Sequence, residues 1–273
     1  MSNVADGANL LLGKGKLYFE RFSASGAAAT GALRFLGNVT AFTLTMTDEL
    51  KQAYSSAESG APLLKQALIR RTVELGVTMD EFTADNVALA LMGTNSDVAA
   101  QTGAAVTAQN IRTNMPADGS GLDRSYYVGK MKWDSATPCV VKIDTTTLTV
   151  TTDYTFDYLN GMLYVVNNAT TLAACAGGAK TLTHAGTTLT YALGLYKSIV
   201  GATVGVVEGA FRFIADPSAG PALNVDVWRV DCTPDGDWGL IGEDFGEFKL
   251  KGKVVADSAA HPASPLFTVT KMT

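Results

Sequence analysis

Alternation of apolar and polar residues dominates this chain. Phe42, Leu44 and Met46 alternate with Thr43, Thr45 and Thr47, and Val73, Leu75, Val77 and Met79 alternate with Thr72, Glu74, Gly76, Thr78 and Asp80. A period of two is that of a strand with one buried face. Shorter versions of the pattern predict strands over 16–22, 208–214, 223–230 and 248–254, and a closing strand around Phe267 and Val269. Turns are expected at 216–221, which holds two prolines, and at 233–237. One helix is signalled. Thr83 can cap its start, Phe82 and Val87 stand at hydrophobic-staple spacing, and Gly93 is placed to end it after about ten residues. Such a short helix must be held by a sheet, with Phe82, Val87 and Leu91 as the packing residues.

Two stretches interrupt the alternation. Residues 48–70 begin acidic and end basic, carry loop chemistry at 55–62, and close on a short helix-like set, Leu64, Leu68 and Ile69. A connection this long is uncommon inside a compact domain and is often functional. Residues 94–124 are rich in Ala, Thr, Asn and Gly and read as an irregular arm. From about 126 to 193 a separate small β unit is expected, inserted into a domain made of 1–125 and 194–273. Tyr154, Phe156 and Tyr158 alternate with Thr155 and Asp157; Asn160-Gly161 follows, a hairpin signal, before the apolar run from Met162 to Val166. Further strands are expected at 139–143 and 187–191. Tyr154, Phe156, Tyr158 and Tyr164 form the predicted core of this unit.

Composition narrows the function classes. The chain has 273 residues, 47% apolar and 17% charged, enough to bury a normal core. Its formal charge of −5 sits outside the inserted unit, where four acids (Asp134, Asp144, Asp153, Asp157) balance four lysines (Lys130, Lys132, Lys142, Lys180). No basic cluster suited to gripping phosphates stands out; Lys249, Lys251 and Lys253 read as the solvated or edge-guarding face of a strand. Cys139, Cys175 and Cys232 are odd in number and widely spaced, which argues against a disulfide framework. The opening segment lacks the features of a signal peptide, and no run reaches the length of a membrane helix, so a soluble protein made in the cytosol is expected.

Candidate chemistry is thin. Gly13-Lys14-Gly15-Lys16 is not a phosphate loop, because Ala8 and Gly15 stand where that motif needs Gly and Ser or Thr. Cys175 and His184 could share a metal, but the chain's two histidines are too few for a closed zinc site. Asp231, Asp235, Asp237, Glu243 and Asp244 lack calcium-loop spacing, and Pro234 with Gly236 makes a turn the better reading. There is no G-x-S-x-G nucleophile motif. No enzyme activity, metal or cofactor is expected.

Several segments, in order, resemble phage tail tube (major tail) proteins. They are Gly15-Lys16-Leu17-Tyr18-Phe19-Glu20, Phe35-Leu36-Gly37-Asn38-Val39, Thr45-Met46-Thr47-Asp48-Glu49-Leu50-Lys51, Trp228-Arg229-Val230, Asp244-Phe245-Gly246 and Phe248-Lys249-Leu250. The 126–193 unit is similar to the small β modules often inserted in tail proteins. The resemblance implies a mainly β fold of two packed antiparallel sheets, a sandwich or barrel with one flanking helix, plus an inserted immunoglobulin-like domain. It implies hexameric rings that stack into a tube and conduct DNA. It implies that the chain's partners are its own copies, other tail proteins (terminator, baseplate or tip, sheath) and DNA in non-specific transit. The location implied is the virion tail, after synthesis in the host cytoplasm, without membrane insertion. The 48–70 segment would reach neighbouring subunits, with Asp48, Glu49, Tyr54, Leu63, Leu64, Leu68 and Arg70 as the contact residues. A type VI-like secretion tube protein and an immunoglobulin-like adhesin are the alternatives.

Overall fold

A computed structural model describes residues 13–23, 26–57, 59–177 and 179–271. In chain order the elements are β1 (Gly15–Arg21), β2 (Arg34–Phe35), β3 (Val39–Tyr54), β4 (Leu63–Met79), α1 (Ala84–Ala90), β5 (Thr94–Asp97) and β6 (Ala105–Met115). Next come β7 (Arg124–Tyr127), β8 (Val140–Ile143), β9 (Thr146–Thr147), β10 (Tyr154–Asp157), β11 (Met162–Val165), α2 (Ala169–Cys175), β12 (Lys180–Thr187) and β13 (Lys197–Val200). The chain finishes with β14 (Val207–Ala215), a 3₁₀ turn (Pro217–Ala219), β15 (Leu223–Pro234), β16 (Phe248–Val254) and β17 (Phe267–Lys271). The fold is mainly β, with several antiparallel sheets, as the alternation predicts. The chain forms two compact units, one from residues 1–96 and 198–273, the other from 97–197.

The first unit holds an eight-stranded sheet in the order β2-β1-β14-β15-β16-β4-β3, with β17 also paired to β15. One edge of β15 is shared: residues 223–227 pair with β17 and 230–234 with β16. Inward positions follow the predicted period. Leu17 and Phe19 lie opposite Phe213 and Phe211, and Leu75, Val77 and Met79 are buried beside Leu250 and Phe248. The sheet curls on itself. Phe42 on β3 stacks on Phe213 of β14 at 5.7 Å between centroids, although three strands separate them in the ladder. Residues 36–38 join β2 and β3, which stand at opposite ends of the strand order. Gly37 turns that corner at φ 81, and a Cβ there would meet the Glu81 carboxylate at 2.0 Å. Lys249, Lys251 and Lys253 face solvent, as expected, but β16 lies inside the sheet and they guard no edge.

Helix α1 spans seven residues rather than ten. The Thr83 hydroxyl accepts from the Asn86 N–H, so the predicted cap is present. The end differs from expectation. Met92, not Gly93, takes the left-handed conformation (φ 49), donating to Leu89 O at 3.2 Å, while Gly93 N–H reaches Ala88 O at 2.7 Å. That pair of bonds is the Schellman arrangement, in which glycine is preferred but not required. Burial of the Met92 side chain, only 4% exposed, offsets the backbone strain. Val87 belongs to the core and Leu91 packs against it, while the exposed Phe82 caps the core by packing on Phe248 of β16 and stacking on Trp238.

The second unit pairs a four-stranded sheet, β6-β12-β8-β9, with a three-stranded one, β10-β11-β7, over one core. It begins earlier than residue 126, because β6, read from sequence as irregular, pairs along β12 through three register shifts. Those shifts break the strict alternation that would have exposed β6 in the sequence. A second helix, α2, was not expected; Asn168 and Thr171 form its capping box. The strand expected at 187–191 stops at Thr187, and only single bridges continue at Thr188 and Tyr191. The Asn160-Gly161 hairpin exists, but its connection has four residues between Asp157 and Met162, not two. Asp157 organises it by accepting from the N–H groups of Leu159 and Asn160 and from Asn160 Nδ2. Tyr154 is buried, its hydroxyl donating to Cys139 O, and Phe156 and Tyr158 pack against the same core. Tyr164 does not belong to that core: alternation along β11 turns Leu163 and Val165 inward, and the Tyr164 hydroxyl donates to Asp123.

Candidate assembly surface

The largest departure from expectation lies at 48–70. This stretch is not a long loop with a helical end. β3 and β4 pair from Val39↔Met79 out to Tyr54↔Leu63, so only residues 55–62 connect them. β16 covers β4 over residues 74–79 and no further. Beyond that point residues 46–54 and 63–73 form a two-stranded ribbon about 25 Å long at ~3.3 Å per residue. Both its outer edges are unpaired among the described residues.

The ribbon grows from the core pattern. Phe42↔Val77, Leu44↔Leu75 and Met46↔Val73 line one face. That face continues outward through Asp48↔Arg71, Leu50↔Leu68 and Gln52↔Gln66. Arg71 forks onto Asp48 at 2.7 and 2.8 Å, and these hydrogen bonds hold the Asp48 carboxyl below its ordinary range. On the other face Arg70 meets Glu49 at 2.9 Å. Two β-bulges interrupt the ladder, one between Glu49 and Leu50 and one between Ala53 and Tyr54. They leave Ile69 and Leu64 as the extra residues on β4.

The apolar content of the ribbon is open to solvent. Met46, Leu50, Tyr54, Leu63, Leu64, Leu68 and Ile69 are between 43% and 67% exposed. The structure therefore gathers on one ribbon every residue expected to make contacts in 48–70: Asp48, Glu49, Tyr54, Leu63, Leu64, Leu68 and Arg70. It adds Met46, Leu50 and Ile69, which sequence reading missed. For Leu50 the signal was the period-two set Met46, Asp48, Leu50, Gln52 and Tyr54, which continues the alternation of Phe42 and Leu44 past residue 48; Ile69 sits at a bulge and breaks the period.

The described residues include no group of three or more His, Cys, Asp or Glu placed to hold a metal. Cys139, Cys175 and Cys232 are buried free thiols. Burial pushes Cys139 up to about 11 and Cys232 up to about 12, so both stay protonated at neutral pH. His184 is surrounded by Trp133 and Phe156, at 4.5 and 5.1 Å between centroids. Asp257 meets His261 at 3.0 Å and His261 stacks on Trp228, but the nearby Ser264 hydroxyl donates to Phe267 O. No helix is long and apolar enough to cross a membrane among the described residues.

The family described as protein of unknown function UCP028589 matches residues 10–266. The chain belongs to that family. The matched stretch spans both units, so residues 97–197 lie within the length shared with the family. No curated protein matches the chain.

Proposed function

We propose that this member of the UCP028589 family is a structural subunit that assembles with copies of itself into stacked hexameric rings, as phage tail tube proteins do. The tube would conduct DNA in a virion tail, and its ends would meet other tail proteins. The observation that carries this reading is the β3–β4 ribbon. A lone two-stranded hairpin is marginal in water. This one keeps seven large apolar side chains at least 43% exposed. Covering them on a neighbour would contribute on the order of 5–10 kcal/mol before the entropy of association is counted. Neighbouring copies also satisfy the open strand edges that a single subunit leaves bare. The net charge of −5 suits a conduit that must not retain phosphates.

The test is assembly. Light scattering and sedimentation over a concentration series should reveal rings or longer polymers, and negative-stain images should show hollow end views. A protein that stays monomeric at high concentration, with or without a tail-tip nucleus, refutes the proposal.

A further inference from the structure

A second apolar surface stands apart from the ribbon, on the connection between β15 and β16. Residues 235–247 carry five acids (Asp235, Asp237, Glu243, Asp244, Glu247) and no base. Its base is fixed: Trp238 packs on Phe248 at 5.2 Å and on Phe82 at 6.3 Å, and Asp235 N–H donates to Lys249 O. Its tip is bare. Leu240 is 73% exposed, Phe245 94% and Ile241 fully exposed. Asp235 and Glu247 meet Lys251 and Lys249, whereas Asp237, Glu243 and Asp244 have no ion-pair partner among the described residues. The tip thus presents three exposed apolar side chains, with Ile241 and Phe245 the barest, flanked by carboxylates without ion-pair partners. A matching surface must be an apolar groove with a positive rim.

Two apolar grooves of the same unit are told apart by charge. One, about 640 Å³, lies beside Met92 and Trp238; Asp237 and Glu247 outnumber Lys249 on its rim, so it repels an acidic tip. The other, about 940 Å³, opens between β1, β3 and β14. Phe42, Leu44, Phe213 and Val225 form its apolar lining, and Lys14 and Lys16 stand on its rim. Both lysines are exposed. Asp216 shares that rim: its carboxylate accepts from Ser218 N–H and Oγ and also feels the charges of Lys14 and Lys16, so two lysines against one carboxylate leave the rim net positive by one.

We propose that the acidic apolar tip of one copy, Ile241 and Phe245 foremost, docks in the Lys14–Lys16 groove of a second copy. This deepens the self-assembly reading and rests on it. Tip and groove are different patches of one surface, so the contact is head-to-tail. Such contacts either close a ring or propagate a filament. At about 940 Å³ the groove has volume enough for a phenyl ring and an isoleucine side chain, and each lysine can meet a carboxylate of the incoming tip.

The decisive experiment is zero-length carbodiimide cross-linking of wild-type protein assembled from an equal mixture of ¹⁴N- and ¹⁵N-labelled copies. Mixed-isotope links from Lys14 or Lys16 to Asp237, Glu243 or Asp244 are expected. Two variants accompany it: Ile241→Ser with Phe245→Ser, and Lys14→Glu with Lys16→Glu. Each should keep the wild-type circular dichroism and raise the concentration needed for assembly by about tenfold or more. The lysine effect should shrink in high salt and the apolar effect should not. Wild type that assembles without these links, or with links only inside single-label copies, overturns the docking while leaving self-assembly intact. Wild type that does not assemble overturns both.

Discussion

His184 should make the 97–197 unit acid-sensitive, and the size of the effect follows from its surroundings. The ring is fully buried on β12, between Trp133 and Phe156, and neither nitrogen has a hydrogen-bond partner. Burial disfavours the imidazolium and lowers the pKa from 6.5 to about 4. The unfolded chain therefore takes up a proton near pH 6.5 that the folded unit refuses until about pH 4. Stability linked to the neutral ring is complete above pH 6.5 and declines as pH falls from there to about 4. At about 1.4 kcal/mol per pKa unit, the loss is about 2 kcal/mol between pH 7 and 5 and about 3 kcal/mol by pH 4. His184→Leu keeps a similar volume and has nothing to protonate. It also removes two buried nitrogens without partners, so it should be at least as stable as wild type at pH 7. The assay is urea unfolding of protein labelled with 5-fluorotryptophan, following the ¹⁹F resonance of Trp133, which reports this unit. Carboxylates titrate alike in both proteins, so the difference between them isolates His184. A difference constant within about 0.5 kcal/mol from pH 7 to 4.5 would mean that the ring is hydrated or partnered in solution, and the reasoning fails.

Two further outcomes are expected. Replacing residues 48–71 with a two-residue Asn-Gly turn joins Thr47 to Thr72, which already face each other, and removes the ribbon. Circular dichroism and melting should stay near wild type while polymers disappear from sedimentation profiles; polymers of normal size would show that the ribbon makes no contact between copies. Replacing residues 98–196 with a Gly-Asn turn should leave a folded first unit, because every buried residue of its core comes from outside 97–197. The ends already meet, with Val98 N–H donating to Tyr196 O and Lys197 paired with Asp97, so a molten remainder by near-ultraviolet circular dichroism would refute two-unit independence.

Where one face of a strand was buried and the other wet, sequence sufficed: β16 alternates Phe248, Leu250 and Gly252 inward with three lysines outward, as its burial records. The ribbon was illegible for the opposite reason. Both its faces are wet, so leucine and glutamine follow no core, and its two bulges shift the period midway. A helical spacing of Leu64, Leu68 and Ile69 then imitates an amphipathic turn. β6 failed similarly, with three register shifts in eleven residues. Asn86 was invisible because its role is tertiary. Fully buried, it donates to Leu36 O and Glu81 O and accepts from Arg34, tying α1 to the corner between β2 and β3. The turn was read at 233–237, and the stretch beyond it entered through the carboxylates Glu243 and Asp244 and the resembling Asp244-Phe245-Gly246 segment, so Leu240, Ile241 and Phe245 were never weighed together as one exposed surface.

The ribbon's own chemistry bears on whether its partner is specific. A bare sixteen-residue edge strand invites indiscriminate pairing, and proteins counter that with charges and bulges. Both devices are present. The Asp48–Arg71 and Glu49–Arg70 pairs sit on opposite faces at the foot of the ribbon, so a strand laid there flat must accommodate a charged pair on either side. The two bulges add twist further out, where the apolar side chains concentrate. An arbitrary flat strand meets charges near the sheet and a mismatched register near the tip. A neighbour shaped to this ribbon avoids both and covers Leu50, Leu64, Leu68 and Ile69. Under the proposed assembly, the features that spoil the ribbon as a generic edge are those that select another copy of the same chain.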